Sequence, residues 1–269
     1  MRFEDIPIVA ISLDRRPDRW EQFSKRAAAA GIYGKTQRLS AVDATTFVAH
    51  EHPAITLLTS YTIKNKLRRA HYEIDSAGAV GCSLSHFKAW EFLKSSSAPA
   101  LIIFEDDSLI PVDFKERIAT LLSELPAEWD LITFYNTPYQ GGKSGCVPIA
   151  SQQPWSNCTS IMGSHAYMIS RRGAERLLAR AYPIEMHVDT YMAFMSRMGH
   201  IVMLWNPTMQ IVQDAEDSDI QHGHTSILNV PTDMEKHGIV ALEITAVVGM
   251  MTMAAVVGGI LALAYVGKR

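Results

Sequence analysis

Ala100-Leu101-Ile102-Ile103-Phe104 is an unbroken apolar run that stops at three acids, Glu105-Asp106-Asp107. A short run with no polar alternation reads as a strand covered on both faces, as inside a parallel sheet flanked by helices. That alone argues for an α/β domain. It also raises an electrostatic problem, because three carboxylates at the end of a buried strand repel one another and resist desolvation. A divalent cation relieves both costs, and hard oxygen ligands suit Mg2+ or Mn2+. The position is also apt, since open α/β sheets bind ligands at the carboxyl ends of their strands. The plainer alternative is a solvated acidic turn in which Asp106, Asp107 or Ser108 caps the next helix.

The rest of the chain alternates short apolar runs with amphipathic stretches. Residues 7–13 read as a buried strand, and Pro17 then opens a helix with Trp20, Phe23 and Ala27 on its stripe and Gly31 at its end. Residues 38–42, 129–136 and 165–170 are further strands. Helices are expected over 78–93, from Phe114 through Leu125, and over 172–180 and 190–198. Lys64-Asn65-Lys66-Leu67-Arg68-Arg69 reads as a solvated helix face, or as a surface for anionic lipid or an acidic acceptor. Gly142-Lys143-Ser144 is no phosphate loop, because Thr137 stands where its leading glycine belongs and Pro148 interrupts the required helix.

Composition narrows the function classes. With 48% hydrophobic and 20% charged residues, the 269-residue chain is not disordered. A net charge of −3 argues against a nucleic-acid partner. Cys82, Cys146 and Cys158 form no CxxC pair, so neither a zinc ribbon nor a disulfide scaffold is expected.

Residues 244–266 hold 23 residues without a charge. As a helix rising roughly 1.5 Å per residue they would span about 35 Å, which predicts a transmembrane segment. At the amino terminus Glu4 and Asp5 interrupt any secretory signal. The expectation is therefore a single-pass membrane protein: a domain over 1–228 on the cytosolic side, a linker over 229–243 and an anchor over 244–266. In the cytosol the sequon Asn157-Cys158-Thr159 would go unused.

Several separated blocks point further. Ile11-Ser12-Leu13-Asp14-Arg15-Arg16-Pro17-Asp18-Arg19 pairs a strand with an arginine-rich turn, and Ala41-Val42-Asp43-Ala44 follows. Gly78-Ala79-Val80-Gly81-Cys82-Ser83-Leu84-Ser85-His86 has the pattern G-x-x-G-C-x-x-S-H, and Phe104-Glu105-Asp106-Asp107 stands where L-E-D-D is expected. Gly163-Ser164-His165-Ala166-Tyr167, Gly173-Ala174, the turn from Pro183 to Asp189, and Pro207, Gln213 and Ser218-Asp219-Ile220 continue the series. In this order, over roughly residues 5–222, the blocks resemble glycosyltransferase family 25, which includes lipopolysaccharide and collagen galactosyltransferases.

The resemblance implies a GT-A-type, Rossmann-like mixed sheet flanked by helices, to which the expected transmembrane helix is appended. It implies an inverting transferase that uses Mn2+ (or Mg2+) to move a hexose, galactose or glucose, from a UDP-sugar to a glycan, lipid-linked or protein-linked acceptor. Strand alternation would put Glu105 and Asp107 on one side, with Asp107 as metal ligand, Glu105 as ribose or water-mediated partner and Asp106 facing away. Arg15, Arg16 and Arg19 are expected at the nucleotide phosphates, and Ser85, His86 and Asp106 at the nucleotide-sugar. Asp189 is the expected base, or else an N-cap; His222 or His224 is expected at the metal. Residues 44–77 and 137–160 would be acceptor-side loops. Two rivals stand beside this reading, a catalytically degenerate membrane scaffold or envelope protein and a nucleotide-sugar hydrolase.

Overall fold

A computed structural model of the chain describes residues 1–66, 72–135, 145–149, 154–161 and 163–214, which fall in one compact unit. One end of its sheet is formed by three parallel strands, β1 (Ile8–Ser12), β2 (Thr36–Ser40) and β3 (Ala100–Glu105), in the order β2-β1-β3 with β2 at the edge. Every residue of β1 and all of β3 before Glu105 are buried, as uninterrupted apolar runs require. Side chains alternate across these strands, so each face carries its own core. Ile8, Ala10, Ile102 and Phe104 meet Phe23 and Ala27 of α1 (Pro17–Ala29), with Phe114, Ile118 and Leu121 of α4 (Phe114–Ser123). Val9, Ile11, Leu101 and Ile103 meet the second layer, built from α3 (Ala77–Ser95), α5 (Arg171–Leu178) and α6 (Val188–Arg197).

Beyond β3 the sheet becomes mixed. β8 (Ala166–Ser170) runs antiparallel between β3 and β5 (Leu131–Thr133), and β9 (Met203–Trp205), β7 (Ser156–Cys158) and β6 (Cys146–Pro148) complete eight strands. A separate ladder joins β4 (Ser108–Leu109) to β10 (Val212–Gln213). One helix was not expected, α2 (Leu57–Asn65), whose apolar residues have no helical stripe because Leu57 and Leu58 both face solvent. The basic stretch that follows it lies outside the described residues from Leu67 onward, as does the glycine-rich loop through Ser144.

Two expectations are corrected. No helix among the described residues is long and apolar enough to cross a membrane, which overturns the transmembrane helix and the single-pass membrane localisation built on it. The longest described helix, α3, carries Lys88, Glu91 and Lys94 and spends its apolar residues on the core; the segment 244–266 lies outside the described residues. Second, Cys146 and Cys158 form a disulfide. A separation of 12 residues carries no motif, but antiparallel register sets the two opposite each other on β6 and β7.

Candidate active site

The register that pairs Ile11 with Glu105 and Ser12 with Ser40 brings the carboxyl ends of β1, β2 and β3 to one level. The segments leaving those ends, together with α3, line a pocket of about 230 Å3. β1, the turn after it and α1 contribute Ser12, Arg15 and Arg19; the segment after β2 contributes Ala41, Val42, Ala44 and Thr45. α3 supplies Cys82, Ser85 and His86, and the whole acidic triplet faces in with Gln213 of β10.

The Gly81–His86 block owes its residue types to packing. A side chain at position 81 would put its Cβ 2.7 Å from the Val42 carbonyl, so glycine alone lets α3 approach the loop after β2. One turn on, Ser85 Oγ accepts the Val42 N–H at 2.8 Å and donates to the Gly81 carbonyl at 2.6 Å. Ser85 therefore shapes the pocket wall. His86 is fully buried, and both of its ring nitrogens are hydrogen-bonded. Trp90 Nε1 donates to Tyr167 Oη (2.8 Å), and that hydroxyl shares a hydrogen bond with His86 Nδ1 (2.9 Å). On the other side Nε2–H donates to the ionised Glu105 Oε1 at 3.2 Å, the oxygen that Ser164 Oγ also reaches at 2.7 Å.

β3 ends at Glu105 and the chain turns at Asp106 and Asp107, so strand alternation stops there. Asp106 consequently does not face away. One Arg19 nitrogen bonds Asp106 Oδ1 at 2.7 Å and Asp107 Oδ2 at 2.8 Å. Gln213 Nε2 donates to the same Asp107 oxygen at 2.7 Å. Burial opposes the charge on Glu105, but its bonds from His86 and Ser164 outweigh that and hold its carboxyl well below the ordinary value. Burial, opposed by Arg19, raises Asp106. Burial and the neighbouring Glu105 charge push Asp107 up to about 7, against Gln213 and Arg19. The other oxygen of Asp107, Oδ1, is buried with no hydrogen-bond partner. A raised carboxyl with an orphaned oxygen, close to two further acids, fits a hard divalent cation.

The other expected residues divide. Arg15 lines the pocket and pairs with Asp43 at 3.2 Å. Arg16 turns to Asp18 at 2.8 Å and does not line it. Helix α6 starts at Val188 with His187 at its N-cap, so Asp189 lies in the first turn and is not the N-cap. Its Oδ2 accepts the Gly163 N–H and its Oδ1 the Thr190 N–H, both at 2.7 Å. Asp189 is outside the pocket lining, yet its charge adds to burial and to the charge of Glu105 in pushing the Cys82 thiol up. His222 and His224 lie outside the described residues. Sequence reading missed Gln213, Tyr167 and Cys82 as site residues, although each sits inside a block quoted above.

Comparison with known proteins places this geometry. Glycosyltransferase 25 family member 3 of Bos taurus, named as probable inactive, is 30% identical over 187 residues, covering 66% of this chain and 29% of that protein. Procollagen galactosyltransferase 1 of Danio rerio is 28% identical over 207 residues, covering 72% of this chain and 32% of its own length. Procollagen galactosyltransferase 1-A of Xenopus laevis is 33% identical over 110 residues, or 38% of this chain and 17% of the relative. The chain thus spans about a third or less of each. The profile described as glycosyltransferase family 25 (LPS biosynthesis protein) matches residues 5–192, and the chain belongs to that family.

Proposed function

We propose that this chain is a metal-dependent inverting glycosyltransferase that moves a hexose, galactose or glucose, from a UDP-sugar to a hydroxyl of a glycan or glycoconjugate. The orphaned, buried Oδ1 of Asp107, a residue that lines the pocket at the carboxyl ends of three parallel strands, carries the reading. Mn2+ or Mg2+ held there by Asp107 would neutralise the diphosphate that departs with the nucleotide. Arg19 and Gln213 orient Asp107. Glu105, fixed by His86 and Ser164, is set to accept a ribose hydroxyl. Arg15 brings positive charge to the phosphate side of the pocket. Asp189, outside the pocket lining and held by the Gly163 and Thr190 N–H groups, would take the acceptor hydroxyl's proton as the bond to the anomeric carbon forms.

The test is release of UDP from a panel of UDP-sugars by the full chain with Mn2+, with and without glycan acceptors. One donor should respond, acceptor should raise the rate, and EDTA should abolish it. Asp107→Asn should cost on the order of a hundredfold or more in kcat, the scale of losing one electrostatic contact to a transition state. Release indifferent to acceptor would make the chain a hydrolase of nucleotide sugars. No release by folded protein would align it with the relatives named as inactive.

A further inference from the structure

Cys82 and His86 stand four residues apart on α3 and therefore share a face. Beneath that face β3 ends at Glu105. The Cys82 sulfur, a His86 ring nitrogen and a Glu105 carboxylate oxygen all lie within 4.8 Å of one another. With Cys146 and Cys158 joined, Cys82 is the chain's free thiol, and it lines the pocket. We propose that Cys82, His86 and Glu105 form a second cation site, selective for a borderline-soft divalent metal such as Zn2+ and distinct from the hard-cation position at Asp107.

Ligand chemistry separates the two. Thiolate and imidazole select Zn2+, whereas a site of oxygen donors alone suits Mn2+ or Mg2+. Three protein ligands with a fourth position open to the pocket is the form of exchangeable zinc sites. Zinc bonds of roughly 2.0–2.3 Å set tetrahedral ligand pairs about 3.5 Å apart, so the donors need to close by only about an ångström. The outer support is already built, because Tyr167 Oη, itself held by Trp90, bonds His86 Nδ1. On binding, bonds from Sγ, Nε2 and a Glu105 oxygen to the metal form. The thiol proton leaves to solvent, and the Nε2 proton is replaced by one on Nδ1 facing Tyr167 Oη. Glu105 is then engaged by the metal, so Zn2+ closes the pocket to a nucleotide. The site rests on these side chains and not on the proposed transfer.

The full chain is titrated with Cd2+, the spectroscopic stand-in for Zn2+, with no nucleotide present. One equivalent should give a cadmium–thiolate ultraviolet band that Zn2+ displaces and excess Mn2+ does not. Cys82→Ser should lose the band, Asp107→Asn should keep it, and Tyr167→Phe should weaken binding by about 10–100-fold. In the unmodified chain Zn2+ should slow reaction of the single thiol with a thiol reagent, a readout that needs no variant. A band surviving in Cys82→Ser, or a thiol that Zn2+ leaves unprotected, would overturn the site. Either result leaves the Mn2+-dependent UDP assay to judge the transferase reading on its own.

Discussion

Glu105 and Asp107 are separated by one residue and pushed in opposite directions. Glu105 receives two side-chain hydrogen bonds that favour its charge, while Asp107 is raised by burial and by the charge of Glu105. A carboxyl whose folded value of about 7 exceeds the unfolded value near 3.9 resists ionisation in the native state. Its contribution to stability is therefore lost progressively as pH rises from about 4 to about 7, and the full cost persists above. A divalent cation offsets that cost where Asp107 is ionised and must displace a proton where it is not. Mn2+ should accordingly raise the melting temperature more at pH 8 than at pH 5.5. Without metal, Asp107→Asn should melt higher than the unmodified chain at pH 8 and close to it at pH 5. Calorimetry at pH 5, 5.5 and 8 decides; a Mn2+ effect equal at pH 5.5 and 8 would detach it from Asp107.

At the scale of the element, α3 does most to build the site. It carries Gly81, Ser85, Cys82 and His86 on successive turns, and these in order admit the loop after β2, pin it, line the pocket and hold Glu105. The close approach at Gly81 is against backbone, which cannot swing aside as a flexible side chain can. Gly81→Ala should therefore cost about 1–3 kcal/mol, the range for overpacking, and should weaken donor binding by displacing Val42 and Ala44. Gly34→Ala is the control, since beyond its chain neighbours no atom of the described residues lies within 4 Å of where its Cβ would sit, and it should stay within about 0.5 kcal/mol. Denaturant unfolding of both variants supplies the comparison; equal stabilities would remove the packing argument.

At the scale of the molecule, the parallel half β2-β1-β3 carries the pocket and the mixed half ends in the disulfide-closed pair β6–β7. A loop of this length closed by a disulfide is worth about 3 kcal/mol through the unfolded chain. Reduction should lower the melting temperature by roughly 6–12 °C, given about 2–4 °C per kcal/mol for a chain of this size. Scanning calorimetry with and without reductant, beside a thiol count, measures it; three titrated thiols with an unchanged melt would refute it. Donor binding should survive at temperatures where the reduced chain remains folded, because neither cysteine lines the pocket.

Much was legible in the sequence by itself, and for local reasons. Apolar runs and helical spacing encode which segments form β1, β3, β8, α1 and α3, and the ordered blocks point to the family. Three things needed the tertiary structure. The partners of the acidic triplet were one, because strand alternation predicts Asp106 facing away only while the strand continues, and it ends at Glu105. The choice of Arg19 over Arg16 was another, since neighbouring arginines look alike until helix α1 aims one inward and gives the other to Asp18. The third was the set of long-range meetings: Gln213 on Asp107, Tyr167 on His86, and Cys146 on Cys158. Periodicity reports which way a side chain points from its own element. Sheet register alone decides what it meets there, and register is fixed by the packing of the whole domain.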